Sequence, residues 1–288
     1  MPNWPNGFPP GHHVAAYLRS YEQRYELPVR RPVHVREVIR DGDHLRVSTS
    51  AGSWRARSVI SATGTWHQPF WPIYPGARTF GGQQLHTVGY RDAAAFAGKQ
   101  VVVVGGGNSA AQLVAEISET TTTTWVTNTP PRFLPDEVDG RALFDAATRR
   151  AADIAAGRPD TGGTSALGDI VMVPPVLAAR ERGVLRAVPM FKGLSRDGIY
   201  WAEGGHRTHE QPADVIVWAT GFRPALAHLR AMQLREPDGR IAVEGTCAVK
   251  EPALHLLGYG DWTGPASATL IGVGRTARAA VEQLEMRT

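Results

Sequence analysis

The sequence contains a single cysteine, Cys247, in 288 residues. One thiol allows no internal disulfide, no cysteine-rich zinc cluster and no Cys-x-x-Cys redox pair. We therefore interpret Cys247 as a small packing residue rather than a nucleophile. The chain also lacks a long run of lysine or arginine, and its 31 basic and 27 acidic residues leave a formal net charge of only +4. This charge balance does not indicate a nucleic-acid partner.

Two kinds of apolar segment are also missing. The first five residues, Met1–Pro5, do not form the charged, apolar and cleavage regions of a signal peptide. No apolar run in the sequence is long enough to span a bilayer. We therefore expect a cytoplasmic protein with no membrane partner. A hydrophobic content of 42% over 288 residues suits one large globular domain or two ordinary ones.

The clearest feature that is present is a strand, a glycine turn and a helix in direct succession. Four valines, Val101 to Val104, predict a strand that is buried on both faces of a parallel sheet. In the turn that follows, Gly105 permits the tight bend and Gly107 lets the backbone approach a pyrophosphate. Ala110 lets the next helix pack close to the strand. The pattern predicts a dinucleotide site, and the alternative is a tight turn without a ligand.

The turn continues through Asn108 and Ser109 into this helix, whose free N-terminal N–H groups favour a phosphate. The second strand is predicted at Thr121–Thr127, and no acidic residue follows it before Asp136. An NAD site usually has an acid at that place. Thr127, Asn128 and Arg132 instead suit the 2′-phosphate of NADP(H), for which a guanidinium fork is well shaped. The alternative is that Arg132 is an arginine of an exposed loop.

The other elements alternate between strand and helix patterns and indicate an α/β protein. Apolar alternation predicts three meander strands within 31–60, the last of them at Trp54–Ile60. The remaining predictions are helices at Pro10–Tyr25, Arg141–Ala156 and Thr269–Met286, strands at Val184–Met190, Gly198–Trp201, Val215–Trp218 and Ala253–Leu257, and a glycine-rich loop at Gly157–Gly168.

Several motifs give the chain a family resemblance. The segment Phe80–Tyr90 fits the pattern F-x-G-x-x-x-H-x-x-x-Y. Strands end on Ala-Thr-Gly at Ala62–Gly64 and again at Ala219–Gly221, and Gly258–Asp261 reads GYGD. In this order the motifs resemble those of flavin-containing monooxygenases, in the two-dinucleotide-binding-domain flavoprotein superfamily. Within that family, the chain resembles the monooxygenases found with bacterial arsenic-resistance genes.

The resemblance implies a fold and a set of cofactors. The fold is α/β, with a Rossmann-like NADPH-binding domain inserted in an incomplete Rossmann-like FAD-binding domain that carries a β-meander. The FAD-type domain would comprise 1–66 and 222–288, the linker with the fingerprint 67–97, and the NADPH domain 98–221. The cofactors implied are NADP(H) and FAD. The site residues carried over are His86 and Tyr90 as catalytic candidates, and, as cofactor-binding residues around the flavin, Thr63, Gly64, Thr220, Gly221, Gly260, Asp261 and Thr269.

The resemblance also implies an activity. NADPH reduces the flavin, reduced flavin forms a hydroperoxide with oxygen, and one oxygen atom passes to a soft nitrogen or sulfur atom of a small molecule. His86 would then be a positioning residue, and the alternative is a packed hinge histidine. The single cysteine excludes the branch of the superfamily that passes electrons through two cysteines. Two other functions stay open: a non-catalytic, degenerate NADP(H)-binding paralogue and an NADPH-dependent electron-transfer flavoprotein reductase.

A second glycine motif, for FAD, is absent before Gly64, where none of the glycines forms G-x-G. A misassigned start or fragment, a natural truncation, or a unit supplied by another chain would each explain this. We expect weak or absent FAD binding in this chain, hence a colourless preparation, because a pyrophosphate site supplies several charge-assisted bonds. An uncovered sheet edge would favour poor solubility or a homodimer. Gly272–Ala277 has the right spacing, but no buried strand precedes it, so it predicts close helix packing.

Overall fold

The computed structural model describes residues 4–5, 9–138, 140–159, 170–204, 206–270 and 272–286. The described residues form two compact units, one within Met1–Arg57 and Ala227–Gln233, the other within Ser58–Leu226 and Leu234–Thr288. The helices are α1 Gly11–Arg24, α2 Asn108–Ile117, α3 Gly140–Ala155, α4 Pro174–Glu181 and α5 Val273–Glu285.

The smaller unit holds α1 and an antiparallel meander. Its strands are β1 Val35–Asp41, β2 His44–Thr49 and β3 Gly52–Ala56. Val38 and Leu45 are buried and form the apolar side of this sheet. The prediction of one strand over Trp54–Ile60 was wrong, because β3 ends at Ala56 and a separate strand, β4 Val59–Ser61, follows in the larger unit. The exposed pair Arg57-Ser58 separates the two strands.

The larger unit is built around a five-stranded parallel sheet. Its strands, in spatial order, are β5 Gln83–His86, β12 Val215–Trp218, β6 Gln100–Val104, β7 Thr122–Thr127 and β8 Ala187–Pro189. The valines of β6 alternate between the two faces: Val101 and Val103 belong to one apolar cluster, and Val102 and Val104 to another. The predicted strand with two buried faces is therefore confirmed.

Two further sheets complete this unit. In one, β13 Val243–Glu244, β14 Cys247–Ala248 and β15 Glu251–Leu256 are antiparallel, and β15 also pairs in parallel with β4. In the other, β9 Gly193–Leu194, β10 Gly198–Glu203 and β11 His206–Pro212 are antiparallel. Cys247 is buried within β14, which agrees with its interpretation as a packing residue. Both α4 and β11 lie outside the elements predicted from the sequence.

Helix α5 begins at Val273, four residues later than predicted, because Thr269 first forms a hydroxyl-stabilised turn with the Gly272 N–H. A Cβ atom on Gly272 would lie 2.1 Å from the carbonyl oxygen of Ala266, so this glycine serves close backbone packing as predicted. Residues 160–168 of the predicted glycine-rich loop lie outside the described residues. Among the helices that are described, none is long and apolar enough to cross a membrane.

Candidate functional site at the carboxyl edge of the parallel sheet

The five parallel strands bring separate parts of the sequence to one edge. His86 ends β5, Thr220 and Gly221 follow β12, Gly105 follows β6 and Thr127 ends β7. The strand order runs from β6 to β7 and β8 on one side and to β12 and β5 on the other. This reversal is the topological switch point at which open α/β sheets bind ligands. The sequence motifs on both sides of that point therefore share one edge.

The glycine turn after β6 is fixed by its neighbours. Gly105 has φ 145°, and a Cβ atom there would lie 2.3 Å from the carbonyl oxygen of Ala219. The Gly105 N–H donates to the oxygen of Val126 (2.9 Å), and the indole N–H of Trp125 donates to the oxygen of Gly105 (2.7 Å). Trp125 is thus a support of the turn that the sequence analysis missed. Only its place in the strand beside the turn could have indicated this role.

The N-terminus of α2 is open to a ligand. Gly107 is its N-cap, and within the described chain no side chain caps it. A Cβ atom on Gly107 would meet no atom within 4 Å, whereas Ala110 is buried against the sheet. Ser109 is exposed in the first turn, and the side-chain oxygen of Asn108 accepts the N–H of Val171 (2.8 Å). The first-turn N–H groups and the space beside Gly107 fit a phosphate group.

The end of β7 lacks an acid that could bind ribose hydroxyls. Thr127 is buried, and Asn128 and Arg132 are exposed. Asp136, the first acid after the strand, accepts two bonds from Arg180, at 2.7 and 2.5 Å. The bonded Arg180 guanidinium lowers the pKa of the Asp136 carboxyl. Asp136 is therefore engaged by Arg180.

His86 is a buried residue with both ring nitrogens occupied. Its Nε2–H donates to the carbonyl oxygen of Gly221 (2.9 Å), and its Nδ1 accepts the N–H of Val88 (3.3 Å). Burial lowers the pKa of the imidazole, against a smaller opposing effect of the bond to Gly221. The ring lies between Trp71 and Phe222, at centroid distances of 5.8 and 4.9 Å. A neutral histidine in this geometry holds the segment after β12 in place.

Tyr90 lies away from this edge. Its ring stacks on Phe96 at a centroid distance of 5.9 Å, within the apolar cluster under α2. Burial raises the pKa of the phenol, and the neighbouring Glu116 carboxylate raises it further. Glu116 is in the last turn of α2, about 12 Å along the helix from Asn108. The Tyr90 side chain therefore lies near the last turn of α2, whereas the glycine turn precedes the first turn of that helix.

A second group of predicted residues meets where β4 and β15 end. The Tyr259 hydroxyl accepts the N–H of Thr63 (3.2 Å) and lies 2.8 Å from the Thr63 hydroxyl and 3.3 Å from that of Ser61. Thr63 also donates to the oxygen of Ala225 (2.8 Å), and Gly64 accepts the Ala225 N–H (2.9 Å). The segments after the two Ala-Thr-Gly motifs are therefore joined. Tyr259, the residue that joins the strand ends, was not predicted.

The remaining residues predicted to bind the flavin, Gly260, Asp261 and Thr269, follow Tyr259 in the sequence. Asp261 accepts a bond from Arg150 of α3 (2.8 Å), and the oxygen of Gly260 accepts the Ser267 hydroxyl (2.7 Å). Thr269 lines a cavity of about 230 Å³ together with Ala62 and Gly258. Asp261 lines another cavity, of about 690 Å³. Arg150 was not foreseen, because its position on a separate helix gives no sequence signal near Asp261.

Comparisons with known proteins agree with this architecture. The sequence pattern of the pyridine nucleotide-disulphide oxidoreductase family matches residues 4–137. A flavin-containing monooxygenase from Stenotrophomonas maltophilia is 47% identical, with a TM-score of 0.87 over 100% of this chain and 80% of that one. An uncharacterized CzcO-like oxidoreductase of Geobacillus kaustophilus is 25% identical over 97% of this chain and 79% of its own length. An indole-3-pyruvate monooxygenase of Oryza sativa is 26% identical over 75% of this chain and 60% of its own.

Proposed function

This chain belongs to the flavin-containing monooxygenase family, and we propose that it is an NADPH- and FAD-dependent monooxygenase that oxygenates a soft nitrogen or sulfur atom of a small molecule. Oxygen is the second substrate. Membership of the family makes the chain a flavin-dependent oxidoreductase. The choice of NADPH and the class of substrate are the proposed parts.

The observation that supports this proposal best is the shared carboxyl edge of the parallel sheet. The glycine turn at Gly105–Gly107 supplies a place for a diphosphate at the switch point. His86 and Gly221, from the fingerprint and the second Ala-Thr-Gly motif, are bonded to each other on the neighbouring strands. A nucleotide on the turn would therefore extend along an edge that the oxygenase motifs also form.

Residues on this edge have distinct proposed roles toward NADP(H). The N–H groups of Ser109 and Ala110 would bind the diphosphate, since α2 begins without a side-chain cap in the described chain. Arg132, with Thr127 and Asn128, would face the 2′-phosphate. His86 would position the Thr220-Gly221 segment through its bond to Gly221. Tyr90, with its hydroxyl away from the edge, would contribute packing.

The group of residues around Tyr259 supports the second cofactor of the proposal, which is FAD. Thr63, Gly64, Gly260, Asp261 and Thr269 would hold the flavin and its ribityl chain. The open cavity beside Ala62, Gly258 and Thr269 and the exposed carboxylate of Asp261 support this assignment. FAD, when bound, supplies the oxygen activation and oxygen transfer. The protein's own part is to orient the cofactors and exclude water.

The proposed domains follow from the same segments. The joined segments after Gly64 and Gly221 would be the two crossings between an FAD-type domain, 1–66 with 222–288, and an NADPH domain, 98–221. Residues 67–97 would connect them. Limited proteolysis with and without NADPH tests this division, since bound NADPH should protect sites within 98–221 alone.

The decisive experiment is NADPH oxidation by the purified chain with and without added FAD and oxygen. Turnover that needs both, with a sulfoxide from an aryl sulfide or an N-oxide from a tertiary amine, is expected. NADPH binding without turnover at any FAD concentration would instead support a non-catalytic paralogue. Turnover that requires an added protein electron acceptor would support a reductase. Peroxide in amounts equal to NADPH consumed, with no oxygenated product, would contradict the oxygenation proposed here.

A further inference from the structure

An open cavity of the larger unit lies where two segments of the chain pair with each other. The Phe70 N–H donates to the oxygen of Gly221 (2.9 Å), and the Arg223 N–H donates to the oxygen of Gln68 (2.8 Å). The cavity has a volume of about 540 Å³, within the range of about 300–1,000 Å³ that is usual for small-molecule sites. Because backbone pairing fixes its walls, the cavity is formed before a ligand binds. The lining residues are Gln68, Pro69, Phe70, Trp71, Ile73 and Arg223.

Most of the wall consists of apolar side chains that stay exposed. Ile73 is 100% exposed and Trp71 is 46% exposed, while Phe70 is half-buried. The Trp71 ring also contacts the ring of His86, at a centroid distance of 5.8 Å, which limits its movement. Large apolar side chains that gather at one exposed place are typical of binding sites, unlike single scattered ones. The two aromatic rings offer flat faces, so the wall indicates a ligand with an aromatic body.

One guanidinium group is the charged part of this cavity. The guanidinium carbon of Arg223 lies 4.4 Å from the centroid of the Phe70 ring. This contact holds the side chain over the ring face and uses none of its N–H groups. Within the described residues, the guanidinium pairs with no carboxylate and donates to no oxygen. The exposed side-chain amide of Gln68 is a further N–H donor on the same wall. The cavity therefore offers unused donors to an anion.

The charges on the other side of Arg223 limit the charge of that anion. Arg223 also borders the neighbouring cavity, whose lining holds two carboxylates, Asp238 and Asp261, and two further guanidinium groups, Arg235 and Arg240. The charges of these four residues offset one another, so Arg223 contributes about one net positive charge. The cavity at Trp71 therefore suits a ligand with one negative charge, rather than a phosphate or diphosphate group with two or more.

We infer that this cavity binds a small aromatic carboxylate, with its carboxylate on Arg223 and its ring against Trp71 and Ile73. One guanidinium matches one planar carboxylate through two parallel N–H···O bonds. The inference goes beyond the proposed function and does not depend on it, because this binding needs neither a nucleotide nor oxygen.

The test is a calorimetric titration of the full chain, without nucleotide, with 2-naphthoate and with the neutral 2-naphthamide. Arg223→Gln should weaken the binding of naphthoate by about tenfold and leave that of naphthamide unchanged, since only the carboxylate loses charge-assisted bonds. Arg223→Lys, which keeps the charge without the fork of N–H groups, should be intermediate. The control Arg278→Gln removes the same charge from an exposed position of α5 and should change neither affinity.

A second variant tests the apolar wall. The Ile73 side chain is fully exposed, so Ile73→Ser should keep the melting temperature of the parent chain. Its affinities for naphthoate and naphthamide should both fall, by about fivefold, because both ligands lose the same apolar contact. Gly107→Ala should bind naphthoate as the parent chain does, which separates this cavity from the glycine turn and from the proposed function.

Four results would overturn the inference. They are no binding of naphthoate to the parent chain, equal affinity of the parent chain for naphthoate and naphthamide, equal naphthoate affinity in Arg223→Gln and the parent chain, and displacement of naphthoate by FAD, which would assign Arg223 to the flavin instead. Sedimentation velocity of the parent chain and Ile73→Ser completes the test. A dimer that dissociates in Ile73→Ser, without naphthoate binding in either chain, would assign the exposed wall to self-association.

Discussion

Two glycines of one turn should respond to alanine in opposite ways. At Gly105 the added methyl group would lie 2.3 Å from the oxygen of Ala219, on a backbone with φ 145°. Overpacking costs about 1–3 kcal/mol and a forced backbone conformation about 1–3 kcal/mol more. Gly105→Ala should therefore lower the free energy of unfolding by about 2–6 kcal/mol, a large part of an ordinary protein's stability.

At Gly107 the same methyl group would meet no protein atom within 4 Å, so Gly107→Ala should keep the stability of the parent chain. The methyl group would instead occupy the space proposed for the diphosphate. Loss of one charge-assisted bond costs about 1.5–3 kcal/mol, so the Kd for NADPH should rise about 10- to 100-fold.

Urea unfolding and a fluorescence titration with NADPH measure these two effects separately. Gly106→Ala is the matched control, because its Cβ atom would only touch Thr127 at 3.9 Å and the motif allows any residue there. Unchanged NADPH affinity in Gly107→Ala would refute the placement of the diphosphate. An equal loss of stability in both Gly105→Ala and Gly107→Ala would refute the assignment of distinct roles.

Three further predictions concern side chains of the same unit. Burial lowers the pKa of His86 below its ordinary value of 6.5, so the folded protein should be fully stable above pH 6.5 and lose stability as the pH falls below 6.5. His86→Gln should flatten this part of a stability–pH profile. Tyr259→Phe should destabilise the fold by about 1–2 kcal/mol in urea, whereas Tyr90→Phe, which removes a hydroxyl beside the Glu116 carboxylate in the last turn of α2, should leave NADPH turnover unchanged. Arg132→Ala should weaken NADPH binding about tenfold and NADH binding little, with Arg132→Lys intermediate; equal effects on both nucleotides would place the 2′-phosphate elsewhere.

The turn after β6 shows which features could be predicted from sequence patterns and which could not. Val101–Val104 and the spacing of Gly105, Gly107 and Ala110 predicted a local strand, turn and helix, because each depends on neighbouring residues alone. The hydrogen bond from the Trp125 indole to the Gly105 oxygen could not be predicted, because it depends on the pairing of β6 with β7. The same limit applies to Tyr259, whose hydroxyl reaches Thr63 across 196 positions.

The predicted boundaries of strands were wrong where exposed polar residues interrupt the apolar alternation. The run Trp54–Ile60 alternates like a single strand, but two exposed residues in it allow the chain to leave one sheet and start another. The cavity beside Asp261 gave no sequence signal, because the residues that line it lie on separate segments of the chain. Local periodicity therefore predicted the elements, while tertiary pairing determined which polar groups meet.

The most direct test of the central claim is isotope incorporation from labelled oxygen gas. The chain, supplied with NADPH, saturating FAD and an aryl sulfide, should give a sulfoxide in which one oxygen atom comes from the gas, as read by mass spectrometry. Gly107→Ala should give less product at limiting NADPH, and the same product at saturating NADPH. Sulfoxide without the label, or NADPH consumption with no labelled product under any FAD concentration, would contradict the account.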